Sequence, residues 1–436
     1  MTPPSRLRRD ALREYAAGSL WVQPAIAALA ALLVGTLLSL VRVGPRSLLA
    51  PLAFQGTADD ARTLLISIAG TVVTVIALVL GLTVVALQLS STQFSPRLLR
   101  NFLRDRPTQW VLSVYLATFV YSAAGLYTVG VASGNRIQDF PRIAVTGAIV
   151  LLFATLGMVV YFADHLAHSL QIDRITEYVQ TSTLAVLQKK PGMVEEPAPV
   201  APPWASTVRA TRSGYVETAH PELLLPLAAR HRVSVLIQPR VGEHVVEGTA
   251  IAWLWAAAPD DPTPDAGAFE RAVGDAVRIG FERTLEQDAA FGIRQLVDIA
   301  CKALSPAVND PYTAVQAIDH LSVIFAALAA RPLGDDVARD AAAGAIVVVP
   351  GRRFGDYLAT MCGLIRRFGA QEPTVSVALL RLLGDCRSFV GQDAVRLADI
   401  RREGDLIVAD AERAVVQPAD LEQVREAAGR LARSLG

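Results

Sequence analysis

Asp288, Asp298, Asn309 and Asp310 lie in one stretch of the chain, and their side chains are of the types that hold a hard cation or act as a general base. Arg283 and Arg294 accompany them, with Arg294 and Asp298 spaced i, i+4 for a helical ion pair worth about 0.3 kcal/mol when exposed. Catalysis would also need an activated nucleophile, a glycine-rich phosphate loop or a metal-spaced His/Cys set, and none stands beside them. The same residue types are used to fix a tight junction between helices. That structural role is the expectation, and the chain is read as a non-enzyme without a catalytic residue, metal or cofactor. Asp164 and His168 occupy one face of a helix after an apolar run but lack a third ligand.

The elements around these residues follow from periodicity. Arg283, Gln287, Arg294 and Asp298 fall on one face, and Leu285, Ala289, Ile293, Leu296 and Ala300 on the other, which predicts an amphipathic helix from about Phe281. Ser305-Pro306 closes it. Asp310 suits the N-cap of the next helix and Pro311 its first position, with the helix running to about Ala330 and placing His320 on its surface.

Four apolar runs dominate the first part of the chain, at about 21–41, 64–89, 110–131 and 143–162. Each is long enough to cross the roughly 30 Å hydrocarbon core, and none holds a charged residue. Residues 1–170 carry 13 Arg against 7 Asp and Glu, a surplus of six, while the whole chain is neutral. The remainder is therefore acidic. The arginines gather in the basic N-terminus (1–20: Arg6, Arg8, Arg9, Arg13) and between the second and third runs (Arg97, Arg100, Arg104, Arg106). Positive residues stay inside, so both termini and the region after Phe162 are expected in the cytoplasm. Leu98, Leu99, Phe102 and Leu103 interleave with Arg97, Arg100 and Arg104, as in a short helix that rests its guanidinium groups on lipid phosphates.

The second run carries a small and polar stripe. Ser67, Gly70, Thr74, Ala77, Gly81 and Gln88 fall within about 80° of arc at roughly 100° per residue. Small residues let helices pack closely; in an oligomer, the same face can line a pore. The expected partners are the lipid bilayer and further copies of the chain. No dense basic tract with interleaved aromatics points to nucleic acid.

Beyond 170 the fold changes. A helix and Pro-rich linker occupy 171–204, and short β-type runs at 205–258 predict a small β-barrel-like module. A helical domain (265–335) and a mostly helical region with one strand at 345–349 (340–436) complete a cytoplasmic α+β region. Val241-Gly242-Glu243-His244-Val245-Val246-Glu247-Gly248-Thr249-Ala250-Ile251 resembles the second half of a lipoyl or biotinyl module, but the cofactor-bearing lysine has no counterpart. Cys301, Cys362 and Cys386 are widely spaced and form no disulfide framework, which suits a reducing compartment.

Gln93-Phe94-Ser95-Pro96-Arg97, Gly214-Tyr215-Val216, Glu282-Arg283-Thr284 with Gln287-Asp288, and Ala303-Leu304-Ser305-Pro306-Ala307-Val308-Asn309-Asp310-Pro311 together resemble a family of bacterial predicted membrane proteins catalogued as a domain of unknown function. The resemblance runs from the first span to about Ala330. It implies a bacterial cell-membrane location and brings no activity or catalytic residues. An oligomeric channel or transport protein is therefore the leading expectation. A membrane-tethered scaffold or sensor comes second, and an enzyme using Asp288, Asp298 and Asp310 third.

Overall fold

The computed structural model describes residues 21–41, 50–93, 106–130, 140–169, 171–189, 199–259 and 266–436. The chain divides into two compact units, Met1–Arg174 and Ile175–Gly436.

The first unit is a bundle of α1 (Val22–Leu40), α2 (Ala58–Gln93), α3 (Arg106–Gly130) and α4 (Arg142–Ser169). Helix α2 begins six residues before the apolar run because Thr57 and Asp60 cap it reciprocally. Asp60 Oδ2 accepts the Thr57 N–H at 2.9 Å, and Thr57 Oγ1 accepts the Asp60 N–H at 3.2 Å. Helix α3 packs against all three others, which explains its composition. It is the most polar of the four, and Ser113, Thr118 and Ser122 on it are buried inside the bundle. Thr118 and Thr155 share a hydrogen bond of 3.0 Å between α3 and α4, which satisfies two hydroxyls buried in an apolar bundle. Tyr121 of α3 lies against Gly35 of α1 and Gly147 of α4, and its hydroxyl donates to the Ala144 carbonyl at 2.9 Å.

In the second unit, α5 (Ile172–Lys189) precedes β1 (Ser206–Arg209), β2 (Gly214–Ala219), α6 (Pro221–His231), β3 (Val233–Ile237), β4 (His244–Val245), β5 (Ala250–Ala256), α7 (Ala266–Ala276) and β6 (Val277–Gly280). Then come α8 (Ala289–Ala303), α9 (Pro311–Ala329), β7 (Asp336–Asp340), β8 (Ala345–Val349), α10 (Phe354–Phe368), α11 (Pro373–Val390), α12 (Ala394–Ala414) and α13 (Pro418–Leu435). Among the described residues, the expected β-barrel is replaced by two open sheets, ordered β1-β5-β3-β8-β7 and β4-β2-β6. The first takes in β8, which arrives from more than 100 residues later to pair in parallel with β3 at Val235–Val347 and Leu236–Val348. The second takes in β6 beside β2. Val233, Val235 and Ile237 of β3 alternate into the core, where they share one buried cluster with Leu224 of α6 and Phe269 of α7.

The helical part packs α8 on α9 and α10, and α11 on α9, α12 and α13. Among the described residues, five helices are long and apolar enough to cross a membrane: Val22–Leu40, Ala58–Ala86, Arg106–Val129, Arg142–His168 and Pro311–Ala329. The fifth, α9, buries Ile318, Leu321, Ile324, Phe325 and Leu328 within the second unit. Its Asp319 carboxylate is exposed and pairs with Arg381 of α11.

Candidate functional site

The stripe on α2 points away from its own bundle. Ser67, Gly70, Thr74, Ala77, Gly81 and Gln88 are all exposed. Ala61, Leu65, Ile68, Val72, Val79 and Ala86 are the buried residues of the same helix, centred about 165° around its axis at roughly 100° per residue. A Cβ added at Gly70 or Gly81 would meet no atom within 4 Å, so nothing among the described residues requires glycine there. The Ser67 and Thr74 hydroxyls donate to the carbonyls of Thr63 (2.8 Å) and Gly70 (3.1 Å) one turn back. Such back-bonding keeps a hydroxyl satisfied away from water. Arg97, Arg100 and Arg104 lie outside the described residues.

At the start of α4's exit from the bundle, His168 Nδ1 is 2.8 Å from the Asp164 carbonyl and 3.4 Å from its carboxylate. The two residues satisfy each other across one turn. Among the described residues no three His, Cys, Asp or Glu side chains group in a way that would hold a metal.

The acidic residues singled out between 288 and 310 separate into three local arrangements. Asp288 and Asp298 stand at the N-cap and in the body of one helix, about 15 Å apart along its axis at 1.5 Å per residue. The helix starts at Ala289, not Phe281, so Arg283 and Gln287 are not on it. Asp288 takes the N-cap, its Oδ1 accepting the Phe291 N–H at 3.1 Å, and the preceding residues turn so that Arg283 folds back. Arg283 Nη2 and Nε donate to Asp288 Oδ2 at 2.6 and 2.9 Å, and its guanidinium lies 5.2 Å from the Phe291 ring centroid. Gln287 turns the other way, its Oε1 accepting the Ala219 N–H at 3.0 Å. Sequence spacing imitated a helical face because both a turn and a helix return to the same side after four or so residues.

Arg294 and Asp298 form the expected i, i+4 pair at 2.7 Å. Burial, reinforced by the Asp298 charge, pushes the adjacent Cys301 thiol up to about 11; all three cysteines are free. The Ser-Pro-Ala-Val-Asn-Asp-Pro turn is accounted for by its backbone. The Ser305 carbonyl accepts from the Val308 and Asn309 N–H groups at 3.0 and 2.8 Å, and Ser305 Oγ donates to the Lys302 carbonyl. Asn309 adopts φ +50°, a conformation that asparagine tolerates better than most residues. Asp310 then caps α9, accepting the Thr313 N–H at 3.1 Å and its hydroxyl at 2.6 Å. Those bonds hold its carboxyl below the usual carboxylate range. His320, expected at the surface, is half-buried with Nδ1 2.6 Å from Gln180 Oε1 of α5.

Sequence reasoning missed what surrounds Asp288. Gly242, in the turn between β3 and β4, has φ +87°, and a Cβ there would stand 2.0 Å from Asp288 Oδ2. The turn backbone is therefore pressed onto the Arg283–Asp288 pair. Arg240, two residues earlier, reaches Asp356 of α10 at 3.4 Å. Asp356 Oδ2 also accepts the Arg353 N–H at 3.0 Å. Tyr357 follows in α10, only 7% exposed, with Arg352, Asp288, Asp356 and Arg240 all within electrostatic reach. Burial pushes the Tyr357 hydroxyl up to about 12. It also raises the Asp288 carboxyl above the usual range, against the opposing pull of Arg283 and Arg352. A glycine followed by an acid, flanked by valines, was the sole trace of this junction in the sequence.

A family model described as predicted membrane protein, DUF2254, matches residues 17–385. The match extends well beyond the Ala330 limit read from motifs. An uncharacterised protein of Mycobacterium bovis and one of Mycobacterium tuberculosis are each 41% identical to this chain over 435 residues, covering 97% of it and 82% of themselves. No solved structure matches. The chain belongs to the DUF2254 family of predicted membrane proteins.

Proposed function

We propose that the protein crosses the bacterial inner membrane four times, with both termini cytoplasmic, and assembles as a homo-oligomer whose conduction or transport path is lined by the outward face of α2. The carrying observation is the uncovered stripe. Six small or polar residues stand opposite the packing face of α2, and a Cβ on either of the two glycines would meet nothing among the described residues. A helix that met only lipid there would gain by filling those positions with leucine. A second copy, or water, gives a reason for leaving them small.

Charge and packing support four spans rather than five. Helix α9 carries Asp319 paired to Arg381 and has its apolar face covered by α8 and α11. Exposed aromatics agree with alternating spans. Trp21 at the start of α1, Trp110 at the start of α3 and Tyr161 near the end of α4 would then occupy the cytoplasmic interface, and Tyr127 the opposite one. Trp110 and Tyr127 are about 25 Å apart along α3 at 1.5 Å per residue, close to the hydrocarbon thickness. Asp288, Asp298 and Asp310 are read as cap and ion-pair residues, which sets the enzyme reading last.

The experiment is a planar-bilayer recording of the purified full chain. Reproducible conductance steps altered by Gly81→Trp support the path. Silence across voltage and membrane tension refutes it and favours a tethered scaffold or sensor built on the second unit, which has a core of its own.

A further inference from the structure

Gln287 belongs to a run of hydrogen bonds whose donors and acceptors follow from chemistry alone. The Ala219 N–H can only donate, so the Gln287 amide atom 3.0 Å from it is the oxygen. The amide nitrogen is then the atom 3.1 Å from His220 Nε2, and it too can only donate. Nε2 is therefore an acceptor, and the imidazole is neutral with its proton on Nδ1. That nitrogen donates to Glu222 Oε1 at 3.0 Å. The backbone fixes the residue beneath the ring: the His220 N–H donates to the Ala276 carbonyl at 3.0 Å, and Pro221 opens α6 directly after it.

This arrangement suits one charge state of the ring. A protonated imidazole carries an N–H on both nitrogens, so Nε2 would meet the Gln287 amide donor against donor. Turning the amide over offers its oxygen to the imidazolium but sets its nitrogen against the Ala219 N–H, which is buried and costly to leave unpaired. Gln287 can hold both partners only while His220 is neutral. The His220 side chain is 38% exposed and that of Glu222 64%, so protons reach the ring from solvent. Glu222 is the one charged group that bonds the ring among the described residues. Of the elements that meet this corner, α7 brings Asp275, β7 brings Asp336, Arg339 and Asp340, and β6 brings Arg278, which Glu217 and Glu286 hold. Beyond Gln287, Arg283 is committed to Asp288. His320 is a contrast: its Nδ1 faces Gln180 Oε1, an oxygen that an Nδ1–H satisfies in either charge state.

We propose that His220, Gln287 and Glu222 form a proton-operated latch, which ties the β2–α6 corner to the segment entering α8 when His220 is neutral and releases it on acidification. Histidine changes charge between about pH 5 and 8. The tie is therefore complete at the alkaline end of that window and is lost as pH falls through it. Asp288, the cap of α8, is the residue after Gln287, so release loosens the entry of the helix on which α9 and α10 pack. The latch lies wholly within the second unit. It goes beyond the proposed membrane path and does not depend on it.

The test is a double-mutant cycle between His220→Phe and Gln287→Ala, read as chemical-denaturation midpoints of the detergent-purified full chain at about pH 8 and about pH 5. At the higher pH the two losses should fall short of additive, because each variant removes the same bond. At the lower pH that coupling should shrink several-fold. Gln287→Glu gives an independent reading, since a carboxylate accepts from the Ala219 N–H and from an imidazolium together. Its midpoint relative to the unaltered protein should rise between the higher and the lower pH. The cycle should keep its pH dependence in a His320→Gln background. Coupling of equal size at both pH values, no coupling at either, or a Gln287→Glu difference that does not move with pH would overturn the latch.

Discussion

The Tyr121 hydroxyl occupies the space that a Cβ on Gly147 would need: the two would stand 2.3 Å apart. Because the same hydroxyl bonds the Ala144 carbonyl one turn earlier, Tyr121 holds α3 to α4 and fits only beside glycine. Gly147→Ala should therefore destabilise the bundle by about 1–3 kcal/mol through overpacking. Tyr121→Phe, which removes the bond but keeps the ring, should cost about 1 kcal/mol. Unfolding of the detergent-solubilised protein followed by circular dichroism would rank them. A harmless Gly147→Ala would show that Tyr121 does not lock the helices.

Gly242 and Gly248 offer an internal comparison. Both have positive φ, +87° and +81°, but only Gly242 faces a neighbour. Gly248→Ala should cost about 1 kcal/mol for the left-handed backbone alone. Gly242→Ala should cost clearly more, because its methyl group must displace the carboxylate of Asp288. Equal losses in chemical denaturation would mean that the turn does not press on the ion pair.

Breaking that pair from one side should be more damaging than either glycine change. Asp288 is 4% exposed, and Asp288→Ala would leave the Arg283 guanidinium without its partner and α8 without its cap. The expected loss is about 3 kcal/mol or more. Replacing both partners with apolar residues should recover part of it, and a double-mutant cycle measures how much.

Asp310 and Asp288 respond to acid in opposite senses. Hydrogen bonds from Thr313 lower the Asp310 carboxyl, so its contribution is present above the unfolded-state value near 3.8 and is lost as pH falls through the folded one. Burial raises the Asp288 carboxyl, so its contribution is largest when protonated and declines as pH rises above that value. Asp310→Asn keeps an N-cap without a titrating group. It should leave neutral-pH stability within about 1 kcal/mol and flatten the loss of stability below about pH 4. An unchanged acid limb would dismiss the Asp310 contribution.

Local signals were legible in the sequence; contacts between distant segments were not. Asp310 as cap and Pro311 at the first helical position marked the start of α9, because a side-chain acceptor and a missing N–H act within one turn. The apolar runs likewise marked α1 to α4, with α2 extended by the polar first turn that a hydropathy reading passes over. The open sheets were hidden since β8 joins β3 across more than 100 residues, and alternation in each strand says nothing of its neighbour. Gly242 needed the position of Asp288 to be understood. The close approach of α5 to α8 is of the same kind, with Thr183 Oγ1 where a Cβ on Gly292 would lie.

The oligomeric path along α2 is tested most directly by cysteine substitution along that helix, in a Cys301→Ser background, with a membrane-impermeant thiol reagent applied during bilayer recording. Block of the current at Gly70→Cys, Thr74→Cys and Gly81→Cys, but not at Leu80→Cys or Val73→Cys beside them, is the predicted pattern. Block that ignored the face of the helix, or currents untouched at every position, would contradict it.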